Sequence, residues 1–500
     1  MHAQSIHLEL DHDGEDTLQT QIRKSLLAAI DAGAVSPELP LPSCRKLADQ
    51  LDVSRNTIAI VYQGLVDDGY LTSRPKAGYF LSEGISTLAS PSLPLNRHDD
   101  GASEHAQVAA VDADRWRARL TRRPSTYSQI RKPQNWQRFD YPFIYGQYDT
   151  GIFPLSSWRE TVRRLLRANS DRDWLNDQVD RDDPLLVEQL RRRVLPRRGI
   201  FAESDEVLVT LGSQNGLYLI SELLCGSGVR FGIEDPCYRD AYNILTWNGA
   251  EAVRHGIDQK GIIVGNQTAE CDLLYVTPSH QVPTGIRMAR DRRARLLEHA
   301  RKHDQILIED DYDADFTVDV DAPPALKATD NERRIIYLGS FSKALSPGLR
   351  LGYVVADRAL IAEMRAMRRL MYRHPPTGLQ RQVGEFLSLG HYDVLVRQLL
   401  DEATARRRTL RSSLEAYAGL LRVLNSPEAS AFWCELPRGL ESNRIVADAT
   451  LESVLVEAGD SHYIHDAPPA RYLRLGYTAI RRSAIEPGVR RLTAVIERFC

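Results

Sequence analysis

The chain has 500 residues, 43% of them hydrophobic and 26% charged, with a net charge of −3. One hydrophobic core stops growing at roughly 250–300 residues, so more than one domain is expected. The composition is that of an ordinary globular protein, and the charge excludes one that coats nucleic acid by bulk positive charge, though not one that places charge locally.

No apolar run reaches the about 18 residues that a membrane helix needs. The opening MHAQSIHLELDHDGED lacks the basic start and apolar centre of an export signal, so a cytoplasmic protein is expected. The six cysteines (Cys44, Cys225, Cys237, Cys271, Cys434 and Cys500) form no C-x-x-C pair and have no metal-ligand spacing with histidine. Free thiols in a reducing compartment are expected, and no metal site.

Residues 12–81 read as a small helical domain ending in a hairpin. Ser43 after Pro42 is a good helix N-cap, with Leu47 and Leu51 on one face. Asp52 and Val53 make a turn, and Ser54 caps a second helix. There Ile58, Val61, Tyr62 and Leu65 recur at three- and four-residue spacing and should face a core. Arg55, Asn56 and Thr57 then stand in the exposed first turn, where a recognition helix meets the major groove. Arginine pairs with guanine there and asparagine with adenine. Gly69 ends the helix, and YLTSRPKAGYFL makes a two-stranded wing whose Arg74 and Lys76 reach phosphates.

From Ser43 to Lys76 five basic residues face four acidic ones, so charge alone barely separates a DNA reader from a helical oligomerisation module. The order of residues separates them better. LPSCRKLADQLDVSRNT resembles the winged helix-turn-helix of GntR-family regulators, with the pattern L-P-S-x-R-x-L-A-x-x-L-x-V-S-R-x-T. The resemblance implies DNA contacts from Ser43, Arg45, Arg55, Asn56, Thr57 and the wing around Gly78, and hence a double-stranded DNA operator as partner.

Residues 82–135 begin SEGISTLASPSLPLNRHDDGASEHAQ, a composition too polar to bury a core, and read as a flexible linker. From 136 to 500, strand-like runs (EVLVTL, VRFGIE, DLLYVT, QILIED, RIIYLG) alternate with helical stretches. That alternation predicts an α/β domain with a mostly parallel sheet.

Three junctions of this domain carry chemistry. In VLVTLGSQNGLYLI a strand ends and Gly212-Ser213-Gln214 opens a helix, whose N–H groups and dipole suit a phosphate. In QILIEDDYDADF an acidic cluster stands at a strand's carboxyl end, where open α/β sheets bind ligands. In LGSFSKALSPGLRLGY, Lys343 follows a strand among Ser340 and Ser342, and Arg350 follows seven residues on. A reactive amine, a buried acid, a hydroxyl donor and an anion site are what pyridoxal 5′-phosphate (PLP) requires. Lys343 would bind the aldehyde, Asp310 the pyridine nitrogen, Tyr312 the ring oxygen, and Arg350 with the 212–214 turn the phosphate. A solvated acidic loop is the alternative for the cluster around Asp310.

In this order the pieces resemble the fold-type-I aminotransferases. With the N-terminal reader they resemble the MocR subfamily of GntR regulators, through YVTPSHQVPTG, IEDDYDADF, SFSKALSPGLRLGY and RYLRLGY. The resemblance covers about four-fifths of the chain. It implies that Tyr238 stacks on the PLP ring and that Arg474 takes a ligand carboxylate, although core packing and a structural ion pair compete for these two residues. Arg239, beside Tyr238, is a second carboxylate clamp on this reading. It also implies a head-to-tail homodimer and an amine or amino-acid effector sensed by aldimine exchange at Lys343.

One position departs from active aminotransferases. These place an asparagine before P-T-G, whereas Val282 stands there in this chain, with His280 nearby as a cofactor contact. The departure, shared by the MocR subfamily, weakens the alternative of a working aminotransferase with an appended DNA module. A scaffold that binds DNA without PLP is a third reading.

Overall fold

Ser43 and Ser54 each begin a helix in the way their residue type favours. In a computed structural model of the chain, the Oγ of Ser43 accepts from the Lys46 N–H and that of Ser54 from the Thr57 N–H, which satisfies amides that the helix itself leaves free. The structure describes residues 16–82, 115–130, 132–147, 149–167, 172–316, 323–425, 430–465 and 467–500, with a few single positions before 16. Met1–Arg122 and Arg123–Cys500 form two compact units.

The first unit holds α1 (Leu18–Asp31), α2 (Cys44–Leu51), α3 (Arg55–Asp67) and a hairpin of β1 (Leu71–Arg74) and β2 (Gly78–Leu81). Asp52 takes the left-handed conformation (φ 52°) that the tight turn between α2 and α3 demands, one that aspartate tolerates better than most residues. Ile58, Val61, Tyr62 and Leu65 are all buried, as their spacing predicts, against Ile22, Leu26 and Ile30 of α1 and Leu47 of α2. The Tyr62 hydroxyl donates to the Pro42 carbonyl, which ties α3 to the start of α2. The hairpin is antiparallel, with Leu71 opposite Leu81 and Arg74 opposite Gly78.

The second unit is built on seven strands: β3 (Val207–Thr210), β4 (Arg230–Glu234), β5 (Glu251–His255), β6 (Leu273–Val276), β7 (Ile306–Asp310), β8 (Ile335–Ser340) and β9 (Gly352–Val355). Their order is β3-β9-β8-β7-β6-β4-β5. All neighbouring pairs are parallel except the two made by β9, which runs antiparallel to β3 and β8. Alternate residues enter two different cores. Val209, Tyr337, Tyr353 and Val355 pack on one side, and Leu208, Ile336, Leu338 and Val354 on the other. Burial on both faces explains why these strands read as continuous apolar runs.

The reversal of β9 has a consequence for the site. The carboxyl ends of β3, β7 and β8 share one sheet edge, and the amino end of β9 meets them there, with Gly352 opposite both Thr210 and Ser340. Arg350 therefore reaches the edge where the other strands finish.

A smaller antiparallel sheet follows, of β10 (Arg422–Val423), β11 (Ala431–Glu435), β12 (Glu457–Ala458) and β13 (Tyr472–Gly476), in the order β10-β11-β13-β12. In it Glu457 lies directly opposite Arg474.

The expected linker, 82–135, divides. Residues 83–114 lie outside the described residues, while 123–135 belong to the second unit. Tyr127 packs on Trp247, and the Ser128 carbonyl accepts from the Asn243 side chain (2.8 Å). A few anchors among polar neighbours hold this stretch, so its composition resembles that of an unattached linker. Among the described residues no helix is long and apolar enough to cross a membrane.

Candidate functional site

The reader residues keep the exposure that their positions on α2 and α3 predict. Arg45, Arg55 and Asn56 are exposed, whereas the Thr57 hydroxyl is engaged with Ser54 Oγ (2.8 Å) in the cap. Arg74 is exposed too, with its guanidinium over the Phe80 ring at 4.5 Å. Lys76 (φ 63°) and Gly78 (φ 107°) form the wing's turn, and both are exposed.

At the carboxyl edge of the large sheet lies a cavity of about 290 Å³ lined by Ser213, Gln214, Tyr238, Asp310, Tyr312, Ser340, Ser342, Lys343, Arg350 and Arg474. Segments more than 250 residues apart in sequence thus meet in one cleft, because the sheet brings their strand ends together. Gly212 lies just behind this lining. Its φ of 82° suits glycine, and a Cβ there would stand 3.1 Å from the Arg350 guanidinium, so the turn admits the arginine only without a side chain.

The acidic cluster is not a solvated loop. Glu309 accepts from the backbone amides of Leu326 and Lys327. Asp311 pairs with Arg198 (2.7 Å), Asp313 with His280 (3.0 Å), and Asp315 with the Tyr392 hydroxyl (2.5 Å). Asp310 alone of the five lines the cavity. One of its oxygens accepts from the Tyr275 hydroxyl (2.7 Å), and the other is buried with no partner among the described residues. Burial pushes this carboxyl up to about 7. A buried acid with a free oxygen is what a protonated ring nitrogen would satisfy, so the residues present fit PLP.

Lys343 faces the same space. Its amine is brought down to about 7, first by burial and then by Lys132 and Arg474. It lies 4.5 Å from the centre of the Tyr145 ring, and the Arg474 guanidinium lies 4.0 Å from the same ring centre. Gly146 (φ 77°) leaves room for it, since a Cβ there would stand 2.5 Å from Lys343 Nζ. The Tyr312 hydroxyl donates to the His280 carbonyl (2.8 Å).

Two of the expected contacts lie off the cavity lining. The His280 side chain does not line the cavity; its Nδ1 is bonded to Asp313, because the 277–285 turn points its backbone, not its ring, toward Tyr312. The Arg239 guanidinium donates to the Tyr463 carbonyl (2.6 Å), lies over Tyr242, and is not part of the cavity lining. Val282 does line the cavity, without a polar group to offer.

Several lining residues escape sequence reasoning: Ile130, Lys132, Tyr145, Gly146, Tyr275, Glu457 and His462. Tyr275 was legible only as part of a strand. His462 donates from Nδ1 to the Cys237 carbonyl (3.1 Å), which leaves Nε2 buried and unbonded among the described residues, and burial lowers this imidazole to about 3.

The comparisons with known proteins agree with both halves of this description. The family described as "Bacterial regulatory proteins, gntR family" matches residues 18–81, and "Aminotransferase class I and II" matches residues 144–492. The chain is 35% identical to the HTH-type transcriptional regulator TauR of Rhodobacter capsulatus, over 97% of both chains. It is 26% identical to the probable rhizopine catabolism regulatory protein MocR of Rhizobium meliloti, over 97% of this chain and 95% of that one. A kynurenine aminotransferase structure from Pyrococcus horikoshii shares the fold of the second unit, with a TM-score of 0.68 at 24% identity over 76% of this chain and 98% of that one.

Fold and site thus define a two-part regulator, with a winged helix-turn-helix reader and a fold-type-I aminotransferase-like domain whose cofactor is PLP. The chain belongs to the MocR subfamily of GntR-family transcriptional regulators.

Proposed function

We propose that this regulator senses a primary amine or amino acid in the cleft around Lys343 and adjusts its hold on an operator accordingly. The observation that carries the reading is the convergence of Lys343, Asp310 and Arg474 in one cavity of a chain that also bears a GntR-type reader. When bound, PLP supplies an aldehyde that condenses with primary amines. Lys343 would be the residue that holds that aldehyde, in a cleft that also admits an effector amine. Asp310 would pair with the ring nitrogen, Tyr238 would lie along the ring, and Ser213, Gln214, Ser340, Ser342 and Arg350 would hold the phosphate. Arg474 grips an effector's acid group. Arg55 and Asn56 read bases, Arg45 and Ser43 position the helix, and Arg74 and Lys76 in the wing meet phosphates.

Coupling requires that the effector prefer one arrangement of the protein over another. We place the protein in the cytoplasm as a head-to-tail homodimer. Val282, apolar where active aminotransferases of the resembling family carry asparagine, favours a sensor over an enzyme.

The test is a visible-absorbance titration of PLP-loaded protein with amines, beside a turnover assay with amino acid and 2-oxo acid together. Ready exchange with absent or very slow turnover is expected. Turnover on the order of 1–10³ per second, the range of dedicated enzymes, would make this a working aminotransferase instead.

A further inference from the structure

Lys132 belongs to the stretch that composition assigns to a linker, yet its ammonium lies inside the cofactor cleft. It donates to the Tyr145 carbonyl and stands 3.2 Å from Glu457 Oε1, which also accepts from the Tyr145 N–H at 3.0 Å. The other Glu457 oxygen is 3.5 Å from the Arg474 guanidinium, its cross-strand neighbour. Burial alone would raise the Glu457 carboxyl, but Lys132 and Arg474 outweigh it and hold it at about 2.

The cluster therefore sets two cations against one carboxylate. Other acids near the cleft have partners of their own: Asp310 accepts from Tyr275, Asp240 from the Tyr238 hydroxyl, and Asp313 pairs with His280 and accepts from the Tyr145 hydroxyl. Arg474 Nε is buried without a hydrogen-bond partner among the described residues. A buried cluster with one positive charge in excess and a free donor favours an incoming anion.

We infer that Lys132 is part of the effector site, and that with Arg474 it forms a two-cation clamp for an effector's carboxylate or sulfonate. This rests on the sensor reading above and narrows its effector to an amine that bears an acid group. Lys132 stays in place when the acid group enters. Without it, the new anion would stand beside Glu457 with Arg474 as the sole cation of the clamp. The effector then fastens the stretch that follows the first unit, so recognition of the acid group also fixes the start of the second unit.

The experiment uses full-length, PLP-loaded wild type, Lys132→Gln and Lys132→Arg. Each is titrated with β-alanine, 4-aminobutyrate and, as the acid-free control, propylamine, by visible absorbance. Lys132→Gln should weaken both amino acids by about tenfold or more while propylamine stays within about twofold, as loss of one charge-assisted partner requires. Lys132→Arg keeps the charge and should keep the preference for the acid-bearing amines, which also covers the case in which Lys132→Gln fails to hold PLP. Unchanged or tighter amino-acid binding in Lys132→Gln would overturn the inference, because Lys132 would then be a bystander or a plug. Equal weakening of propylamine would overturn it as well. A wild type that responds to propylamine but to neither amino acid defeats the clamp alone, whereas one that responds to no amine defeats the sensor reading itself.

Discussion

Arg55 and Asn56 stand in solvent, consecutive in the chain, on the first turn of a helix whose opposite face fills a small core. Lys132, Asp310, Lys343 and Arg474 come from four distant segments and meet inside one cleft. The first arrangement places functional groups by helical period alone. The second depends on topology: parallel strands that end on one edge, and one reversed strand that brings Arg350 to them. The groups also differ electrostatically. The reader's side chains keep their ordinary hydration until DNA arrives, whereas burial has already shifted the cleft's acid and amine toward neutrality.

That contrast can be broken most forcefully at the cleft. An ordinary lysine is almost wholly protonated at pH 7, whereas Lys343, with its amine at about 7, is neutral in a large fraction. The neutral form is the nucleophile. Covalent attachment of added PLP to cofactor-stripped protein should therefore speed up as pH rises to about 7 and level off above it. A rate still climbing steeply beyond pH 9 would mean that the amine is not depressed.

Asp310→Asn should cost cofactor binding about 3 kcal/mol or more, since a buried charged pair loses one member. The measure is PLP retained through gel filtration. Full retention would show that the unpartnered Asp310 oxygen does not serve the ring nitrogen.

Arg474→Ala should weaken an acid-bearing effector by about 2 kcal/mol, with bound PLP and effector-free operator affinity preserved. Unchanged affinity would mean that the effector carries no acid group at this end of the cleft.

At the reader, Arg55→Ala should cost about 1–3 kcal/mol and relax preference at one operator position, if its contact is bidentate to guanine. Arg74→Ala or Lys76→Ala should instead weaken all sequences alike and flatten the salt dependence. Intact operator affinity in Arg55→Ala would displace the reading helix from the groove.

How much was legible in advance follows the same division. Ser43, Ser54 and the run Ile58, Val61, Tyr62, Leu65 specify two capped helices and their buried face by local rules, and each lies where those rules put it. Asp310, Lys343 and Arg350 were legible because each sits at a strand end with a chemistry-bearing neighbour. Tyr275 and Glu457 were not, since each is one residue of a short strand with no signal until the fold brings the Tyr275 hydroxyl to Asp310 and sets Glu457 opposite Arg474. Lys132 was hidden by the polar stretch around it. Adjacency in sequence to Val282 and Tyr238 says nothing of direction: a turn commits the His280 ring to Asp313, and a helix start carries the Arg239 guanidinium to the Tyr463 carbonyl.

The most direct measurement follows one PLP-loaded sample by visible absorbance and by operator binding during the same titration with an acid-bearing amine, in wild type and in Lys343→Ala. The account predicts that operator affinity in the wild type shifts over the same amine concentrations as the absorbance. It also predicts that Lys343→Ala, still folded and still bound to operator, shows no such coupled response. An amine that changes the absorbance of the wild type fully while leaving operator affinity unmoved would contradict the claim that the cleft is the regulator's sensor.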